Sequence, residues 1–199
     1  MGQQAVFFGQ ALHVDLDLGR TREPKEGISE RLMLDEQVRV ICADWRLGAS
    51  SVLVPELHLG AGVTEVEFGR EHLRRVMVNL LDNARRHASG APGSLQVHTR
   101  LGSSPAGSVD VEVWSDGPAL DPSVEQHLFE PFFSSQSRST GLGLFICREL
   151  CERHGAAIVY QRTERRVAAG HKPRIGNAFV IRIRLTQPAQ ETGADTILV

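Results

Sequence analysis

Two carboxamide side chains, Asn79 and Asn83, stand four residues apart in the run VMVNLLDNARRH, which covers residues 76–87. Residues four apart lie on the same face of an α-helix. Asparagine is a mediocre helix former because its side chain competes for backbone hydrogen bonds, so two of them one turn apart require an explanation. Amide oxygens can ligate a hard cation, and Arg86 on the same face can bind an anion. An exposed polar face is the alternative, and this helix alone does not decide between them.

A second candidate is the run STGLGL at residues 139–144. Gly141 and Gly143 precede a predicted helix, where free backbone N–H groups and the positive end of the helix dipole suit a phosphate. A flexible hinge is the alternative. Upstream, LFEPFFSS at residues 128–135 contains three phenylalanines, which favour an anchor in the core. A loop anchored by aromatics at one end and glycines at the other could close over a ligand as a lid.

The third candidate is VWSDGPAL, residues 113–120, where a strand-like run ends in a turn. The turn combines one glycine, Gly117, with a carboxylate, Asp116. Pairs such as D-G and G-P are ordinary turn signals, so this stretch alone leaves open whether the turn contacts a ligand or only reverses the chain.

The three candidate segments would be positioned by helices and by strands, some of which follow one another in the chain without a helix between them. Apolar residues at helical spacing predict helices over 28–45, 70–87 and 142–154, and Asp121 as a cap predicts a short helix over 122–128. Strand-like runs cover residues 52–59, 64–68, 95–101, 109–114, 157–161 and 178–185. This mixture predicts an α+β fold, a two-layer α/β sandwich in which helices cover one face of a mixed sheet.

The composition of the 199 residues narrows the function classes. No run approaches the ~20 apolar residues that span a bilayer. A net charge of −2 provides no general attraction to nucleic acid, and we expect no nucleic-acid partner. Three cysteines, Cys42, Cys147 and Cys151, indicate small core residues in a reducing compartment and not a disulfide.

The order of the motifs resembles the ATP-binding catalytic domain of sensor histidine kinases. NLLDNA comes first, a strand ending in a DGP turn follows, then FEPFF, and then TGLGL at the start of a helix. Within that family, the short lid and the run GLGLFICRELCERHGA resemble the nitrogen-regulation and type IV pilus-regulation branches. The resemblance covers residues 28–185 and implies the Bergerat-type ATP-binding fold of DNA gyrase, Hsp90 and MutL.

This resemblance implies ATP and Mg²⁺ as cofactors. Asn83 would ligate the Mg²⁺, and Asn79 would help to position the metal and the phosphates. Arg86 and His87 match positions that commonly face phosphate and ribose. The other phosphate contacts would come from the lid and the next helix start, namely Arg138, Thr140, Gly141, Leu142 and Gly143.

The glycine turn departs from the family pattern D-x-G-x-G, whose first Asp accepts a hydrogen bond from the adenine amino group. Aligning Gly117 with the first glycine places Ser115 at the adenine position and Ala119 at the second glycine. A shifted register would use Asp116 but would spoil the strand match, so we favour Ser115. Loss of a charged acceptor costs on the order of 1–3 kcal/mol of affinity. Ala119 is tolerated only where the backbone does not need a positive φ.

The family's phosphate acceptor is a histidine on a helical dimerisation domain, and this sequence does not complete that motif around His13. We expect residues 1–27 to be the end of such a domain, residues 28–185 the catalytic domain and residues 186–199 a disordered tail. The chain would then be part of a longer, membrane-anchored sensor whose catalytic domain is cytoplasmic.

The implied partners are ATP or ADP, the histidine-containing dimerisation domain of the full-length protein and a response regulator. A homodimer is expected only in the full-length protein. Two alternatives compete with an active kinase domain. Ser115 and Ala119 favour a nucleotide-binding-impaired signalling scaffold, whereas the short lid and TGLGLFICREL disfavour a gyrase- or MutL-type ATPase.

A basic insertion, RTERRVAAGHKPR at residues 162–174, separates the last two predicted strands. It is interpreted either as a solvated loop or as a docking surface for an acidic partner such as a receiver domain.

Overall fold

The computed structural model describes residues 29–48, 53–102, 107–133, 141–167 and 172–185. In chain order the elements are β1 (Glu30–Met33), α1 (Leu34–Gly48), β2 (Glu56–Gly60), β3 (Glu65–Phe68), α2 (Arg70–His87), β4 (Leu95–Gly102), β5 (Ser108–Ser115), α3 (Pro122–Gln126), α4 (Gly143–Arg153), β6 (Ala157–Arg165) and β7 (Arg174–Arg184).

The main sheet has five strands in the order β2-β4-β5-β7-β6. β2 runs parallel to β4, and the other neighbours are antiparallel, so the sheet is mixed. β1 and β3 form a separate antiparallel pair. Alternate residues of β5, Val109, Val111 and Val113, lie in the same buried core as the apolar faces of the helices. The predicted α+β sandwich, with helices on one face of a mixed sheet, is confirmed.

The opposite face of the sheet carries buried carboxylates that are neutralised by arginines, beside a small apolar cluster of Trp114, Val167 and Ala178. Asp110 and Glu112 of β5 are 2% and 1% exposed. Arg182 Nε donates to Asp110 at 2.9 Å, and Arg165 Nη2 donates to Glu112 at 2.7 Å. Arg100 contacts both carboxylates. The hydrogen bond and charge of Asp110 raise the pKa of Arg182. This pairing lets one sheet face remain uncovered by helices.

The predicted helix over residues 28–45 is wrong at its start. The structure has strand β1 at residues 30–33 and begins the helix at Leu34. The helical spacing came from Val38, Ile41, Cys42 and Trp45, which all lie within α1. β1 is a strand because Leu32 fills the core opposite Val66 of β3, a partner more than thirty residues away.

The runs on either side of residues 60–62 form β2 and β3, as predicted, and the two strands lie in different sheets. The last pair of strands needs a correction. The predicted long loop between the last strands is largely a β-hairpin. β6 continues to Arg165, β7 starts at Arg174, and these two residues are partners.

Several smaller predictions can also be compared with the structure. Asp121 caps α3, accepting from the Ser123 backbone N–H at 2.8 Å. All three cysteines are buried and free, as expected of core residues. Within the described ranges, no helix is both long and apolar enough to cross a bilayer. The predicted N-terminal segment and tail, residues 1–27 and 186–199, lie outside the described residues.

Candidate functional site

Helix α2 places Asn79 and Asn83 beside its apolar face. The buried residues of this helix are Leu73, Val76, Met77, Leu80, Leu81 and Ala84. Asn79 and Asn83 are only partly buried, so each amide keeps access to the space at the edge of the core. The one-turn spacing predicted from the sequence therefore exists, and both amides lie on a helix that packs directly against β5 and α4.

Asn79 lies against the start of α4. A Cβ atom placed on Gly143 would be 3.9 Å from Asn79 Oδ1. One turn further along α4, the Cys147 thiol hydrogen bonds to Asn79 and to the Val76 carbonyl. Burial raises the pKa of Cys147 to about 12, so this group is a neutral thiol. The structure thus brings together one of the two predicted amides and the predicted glycine-rich helix start.

Gly141 brings the FEPFF segment to the same helix start. Its φ of +66° lies in the left-handed region, and a Cβ atom there would be 2.6 Å from the Phe132 carbonyl carbon. Only glycine suits both conditions. Leu142 follows as the residue that precedes α4. Arg138 and Thr140 lie outside the described residues.

The turn after β5 lies against the C-terminal end of α2. A Cβ atom on Gly117 would be 2.8 Å from the His87 carbonyl oxygen, so this close approach requires glycine. Ser115 is 3% exposed and shares the helix-facing side of β5 with Val113. Among the described residues, Phe132 is the only non-glycine with a positive φ, so Ala119 does not need one.

The Asp116 carboxylate lies on the other side of this turn, where residues of the same domain hydrogen bond to it. Its carboxylate accepts from the Ser89 backbone N–H at 2.8 Å, from the Ser89 hydroxyl at 2.7 Å and from Arg174 Nη1 at 2.6 Å. Its side chain is 1% exposed. Burial opposes its charge, but the hydrogen bonds from Ser89 and Arg174 outweigh burial and lower the pKa of this carboxyl.

Arg86 and His87 differ in their surroundings. Arg86 is exposed, and its Nε donates to the Asp82 carbonyl at 3.2 Å. Burial, reinforced by the charge of Arg86, lowers the pKa of His87. At neutral pH the imidazole is therefore neutral, and the positive charge at this end of α2 comes from Arg86 and Arg85.

Sequence reasoning did not identify the residues of β6 and β7 that contact the turn. Arg162 and Asn177 donate to its backbone carbonyls, and Arg174 pairs with Asp116. Arg162, Arg165 and Arg174 thus lie in strands and bind groups within the domain, so these positions are not part of a loop. Arg162 and Arg174 are still exposed, and the docking interpretation stays a prediction. No local pattern in the sequence indicated these contacts, because they depend on the antiparallel register that pairs Ser115 with Asn177.

The donors at this site suit a phosphate with a hard cation. Amide oxygens are ligands that Mg²⁺ accepts, and the first N–H groups of α4 have no partner within the helix and suit a phosphate. No three His, Cys, Asp or Glu side chains in the described ranges form a metal cluster. A cation here would therefore rely on amide oxygens, phosphate oxygens and water, which is how Mg²⁺ is commonly held beside nucleotides.

Comparisons with known proteins agree with this geometry. A family model described as "Histidine kinase-, DNA gyrase B-, and HSP90-like ATPase" matches residues 69–187. Sensor protein kinase PilS of Pseudomonas aeruginosa is 40% identical over 109 residues, which are 54% of this chain and 21% of that protein. Sensor protein KdpD of Escherichia coli is 30% identical over 165 residues, covering 81% of this chain and 16% of that protein. The chain thus spans about a fifth or less of these relatives.

A solved structure of the mycobacterial sensor histidine kinase MprB is also similar. Its TM-score is 0.59 at 25% identity, covering 79% of this chain and 97% of that chain. The catalytic domain of histidine kinase ThkA shares the fold, with a TM-score of 0.62 at 24% identity, covering 79% and 98% of the two chains. From the family match and this arrangement of α2, the turn and α4, the chain belongs to the histidine kinase-, DNA gyrase B- and HSP90-like ATPases and contains the ATPase domain of the sensor histidine kinases.

Proposed function

We propose that this domain binds ATP with Mg²⁺ and transfers the γ-phosphoryl group to a histidine on a dimerisation domain outside this chain. The proposal rests on the close approach of the Asn79 side chain to Gly143. This approach brings the Asn79 amide oxygen and the N-terminus of α4 into one place, while Gly117 packs on His87, the last residue of α2. Base and triphosphate can therefore be held from two places on α2, its C-terminal end and the turn that carries Asn79.

Phosphoryl transfer requires mainly positioning and charge neutralisation. Asn83 would ligate Mg²⁺, which neutralises part of the triphosphate charge when bound, and Asn79 would orient the phosphates towards α4. The backbone N–H groups of Gly141, Leu142 and Gly143 would hold phosphate oxygens, joined by Arg138 and Thr140 from the lid. Arg86 would add a positive charge, and neutral His87 would contact the ribose. Ser115 would accept from the adenine amino group, whereas Asp116 would support the turn from behind.

The proposal extends to partners and location. The 40% identity to PilS supports the type IV pilus-regulation branch over the nitrogen-regulation branch. A response regulator would receive the phosphoryl group from the histidine, and the solved complex of histidine kinase ThkA with response regulator protein TrrA provides the precedent. Dimerisation would occur in the full-length protein, with this domain in the cytoplasm and the sensor anchored in the membrane.

The scaffold alternative rests on Ser115 alone. Ala119, its other support, does not need a positive φ in this structure and therefore causes no strain. A hydroxyl still accepts a hydrogen bond, so serine in place of the family's aspartate weakens base binding without preventing it.

A calorimetric titration with a non-hydrolysable ATP analogue and Mg²⁺ tests the proposal. We expect binding by the wild type and at least tenfold weaker binding by Asn83→Ala, since a metal ligand is lost. Asp82→Asn is the control, because it alters the adjacent residue of α2 and retains an acceptor for Trp45 Nε1, which donates to Asp82 at 3.0 Å. Absence of binding at millimolar analogue would overturn the proposal.

A further inference from the structure

The turn at residues 115–120, here called the base turn, is held by side chains from the β6–β7 hairpin. Asn177 Nδ2 donates to the Pro118 carbonyl at 2.9 Å. Arg162 Nη1 donates to the Gly117 carbonyl at 3.2 Å. Neither donor lies near the base turn in the sequence. The hairpin therefore determines where two consecutive carbonyl groups of this turn lie.

Asn177 is itself fixed by two further donors. Its Oδ1 accepts from the Tyr160 hydroxyl at 2.8 Å and from Arg162 Nη1 at 2.9 Å. The Tyr160 hydroxyl also hydrogen bonds to the Leu120 backbone, at the far end of the base turn. Asn177 is 6% exposed, so little water competes for these bonds. The amide is thus oriented with its N–H towards Pro118 and its oxygen towards Tyr160 and Arg162.

The other flank of the base turn is held by the same hairpin. Arg174, the first residue of β7, pairs with Asp116, which also accepts from Ser89. Gly176 allows β7 to lie this close to the end of β5, since a Cβ atom there would overlap the Ser115 carbonyl oxygen and the Trp114 ring. Tyr160, Arg162, Arg174 and Asn177 together contact the base turn on both sides.

Ser115 lies at the start of this turn and faces Asn177 directly across the strands. A loop that already has its bound conformation binds its ligand more tightly, because less ordering entropy is lost on binding. This matters here because a neutral hydroxyl, and not a carboxylate, would contact the base.

We propose that Asn177, Arg162 and Tyr160 are positioning residues for nucleotide binding and preorganise the base turn. The inference rests on the proposed function, because it concerns the affinity of the same site for its base. It assigns to the β6–β7 hairpin a role in base binding, separate from the triphosphate contacts of α2 and α4.

Asn177→Asp is the sharpest test, because it retains the acceptor for Tyr160 and Arg162 and replaces the donor to Pro118 by a carboxylate oxygen, which repels that carbonyl. Titration with an Mg²⁺-bound, non-hydrolysable ATP analogue should give at least about tenfold weaker binding, the effect of one or more lost hydrogen bonds. Mg²⁺-tripolyphosphate, which has no base, should compete for the site of the variant within about twofold of its wild-type strength, since its contacts lie elsewhere.

Arg162 provides a second, independent variant with its own controls. Arg162→Met should weaken analogue binding, and Arg162→Lys, which retains a donor, should recover part of it. Arg166→Met removes the same charge from an exposed position four residues along and should bind like the wild type. Thermal unfolding without ligand shows whether each variant is folded. If Asn177→Asp fails to fold, the Arg162 variants test the inference by themselves.

Different outcomes overturn different statements. Wild-type analogue affinity in both Asn177→Asp and Arg162→Met overturns the inference and leaves the proposed function standing. Equal weakening of analogue and tripolyphosphate binding also overturns it, since this indicates general disruption of the domain. A wild type that binds no nucleotide overturns the proposed function and the inference with it.

Discussion

Ser115 and Asp116 show how neighbouring residues acquire different roles from their environments. Both lie at the end of β5, and their side chains point to opposite sides. Asp116 accepts three hydrogen bonds from Ser89 and Arg174, whereas Ser115 faces the helices. The carboxylate that looked suitable for a ligand in the sequence therefore stabilises the turn. In the proposed site, a hydroxyl would then remain to contact the base.

This arrangement makes base selectivity testable at Ser115. A hydroxyl can accept from the adenine amino group or donate to the guanine carbonyl, whereas a carboxylate only accepts. We expect Ser115→Asp to increase the preference for ATP over GTP by about tenfold or more, since a charged hydrogen bond contributes ~1.5–3 kcal/mol. Titration with analogues of both nucleotides measures this ratio.

Ser115→Asn is the matched control, because it has nearly the same size as Asp without the charge. If both variants retained the wild-type ATP to GTP ratio, Ser115 would not be the base contact. The register that places it there would then be wrong.

At the scale of elements, the start of α4 depends on Gly141. Gly141 and Gly62 share a φ of +66°, but only Gly141 has backbone atoms of residues 132 and 133 within reach of a Cβ atom. Gly62 has open space around it. The pair therefore separates the cost of left-handed backbone from the cost of steric overlap.

We expect Gly62→Ala to lower the free energy of unfolding by ~1 kcal/mol, the usual cost of a side chain in this region. Gly141→Ala should cost more and should also weaken binding of the ATP analogue, because the FEPFF segment and the helix start must separate. Chemical denaturation measures the first effect and calorimetry the second. Equal losses of stability in both variants would show that the contact with residues 132 and 133 is unimportant.

Elements also differ in how well their sequence predicts them. α2 was predicted with its observed bounds, because its apolar spacing and its two amides are local features. The β6–β7 hairpin was missed beyond residue 161, because arginines and a glutamate give no apolar alternation there. Those parts of the strands form because Arg165 pairs with Glu112 and because Gly176 allows close approach to β5. Both partners are distant in sequence.

For the whole molecule, we expect stability to fall as the pH drops from about 6.5 towards about 4. Burial, together with His58, Arg165 and Arg100, lowers the pKa of His98 to about 4. The pKa values of His72, His87 and His154 are also lowered, chiefly by burial. The unfolded chain then binds more protons than the folded domain in this range, so acid favours unfolding.

His98→Gln should make this pH dependence shallower, because one group with a lowered pKa is removed. Urea denaturation at a series of pH values measures the slope of unfolding free energy against pH. Gln retains hydrogen-bonding capacity beside Gln96, which contacts the His98 ring at 2.9 Å. A slope identical to that of the wild type between pH 6.5 and 4 would show that His98 does not contribute.

The sequence by itself determined the family, the two-layer fold and the order of the candidate site segments, because each depends on local spacing or on a linear pattern of motifs. Only the tertiary structure decided which residues meet. It placed Asn79 against Gly143, turned Asp116 towards Ser89 and Arg174, and brought Asn177 and Arg162 to the base turn. These contacts depend on strand register and close backbone approach between distant segments, and local residue spacing contains neither.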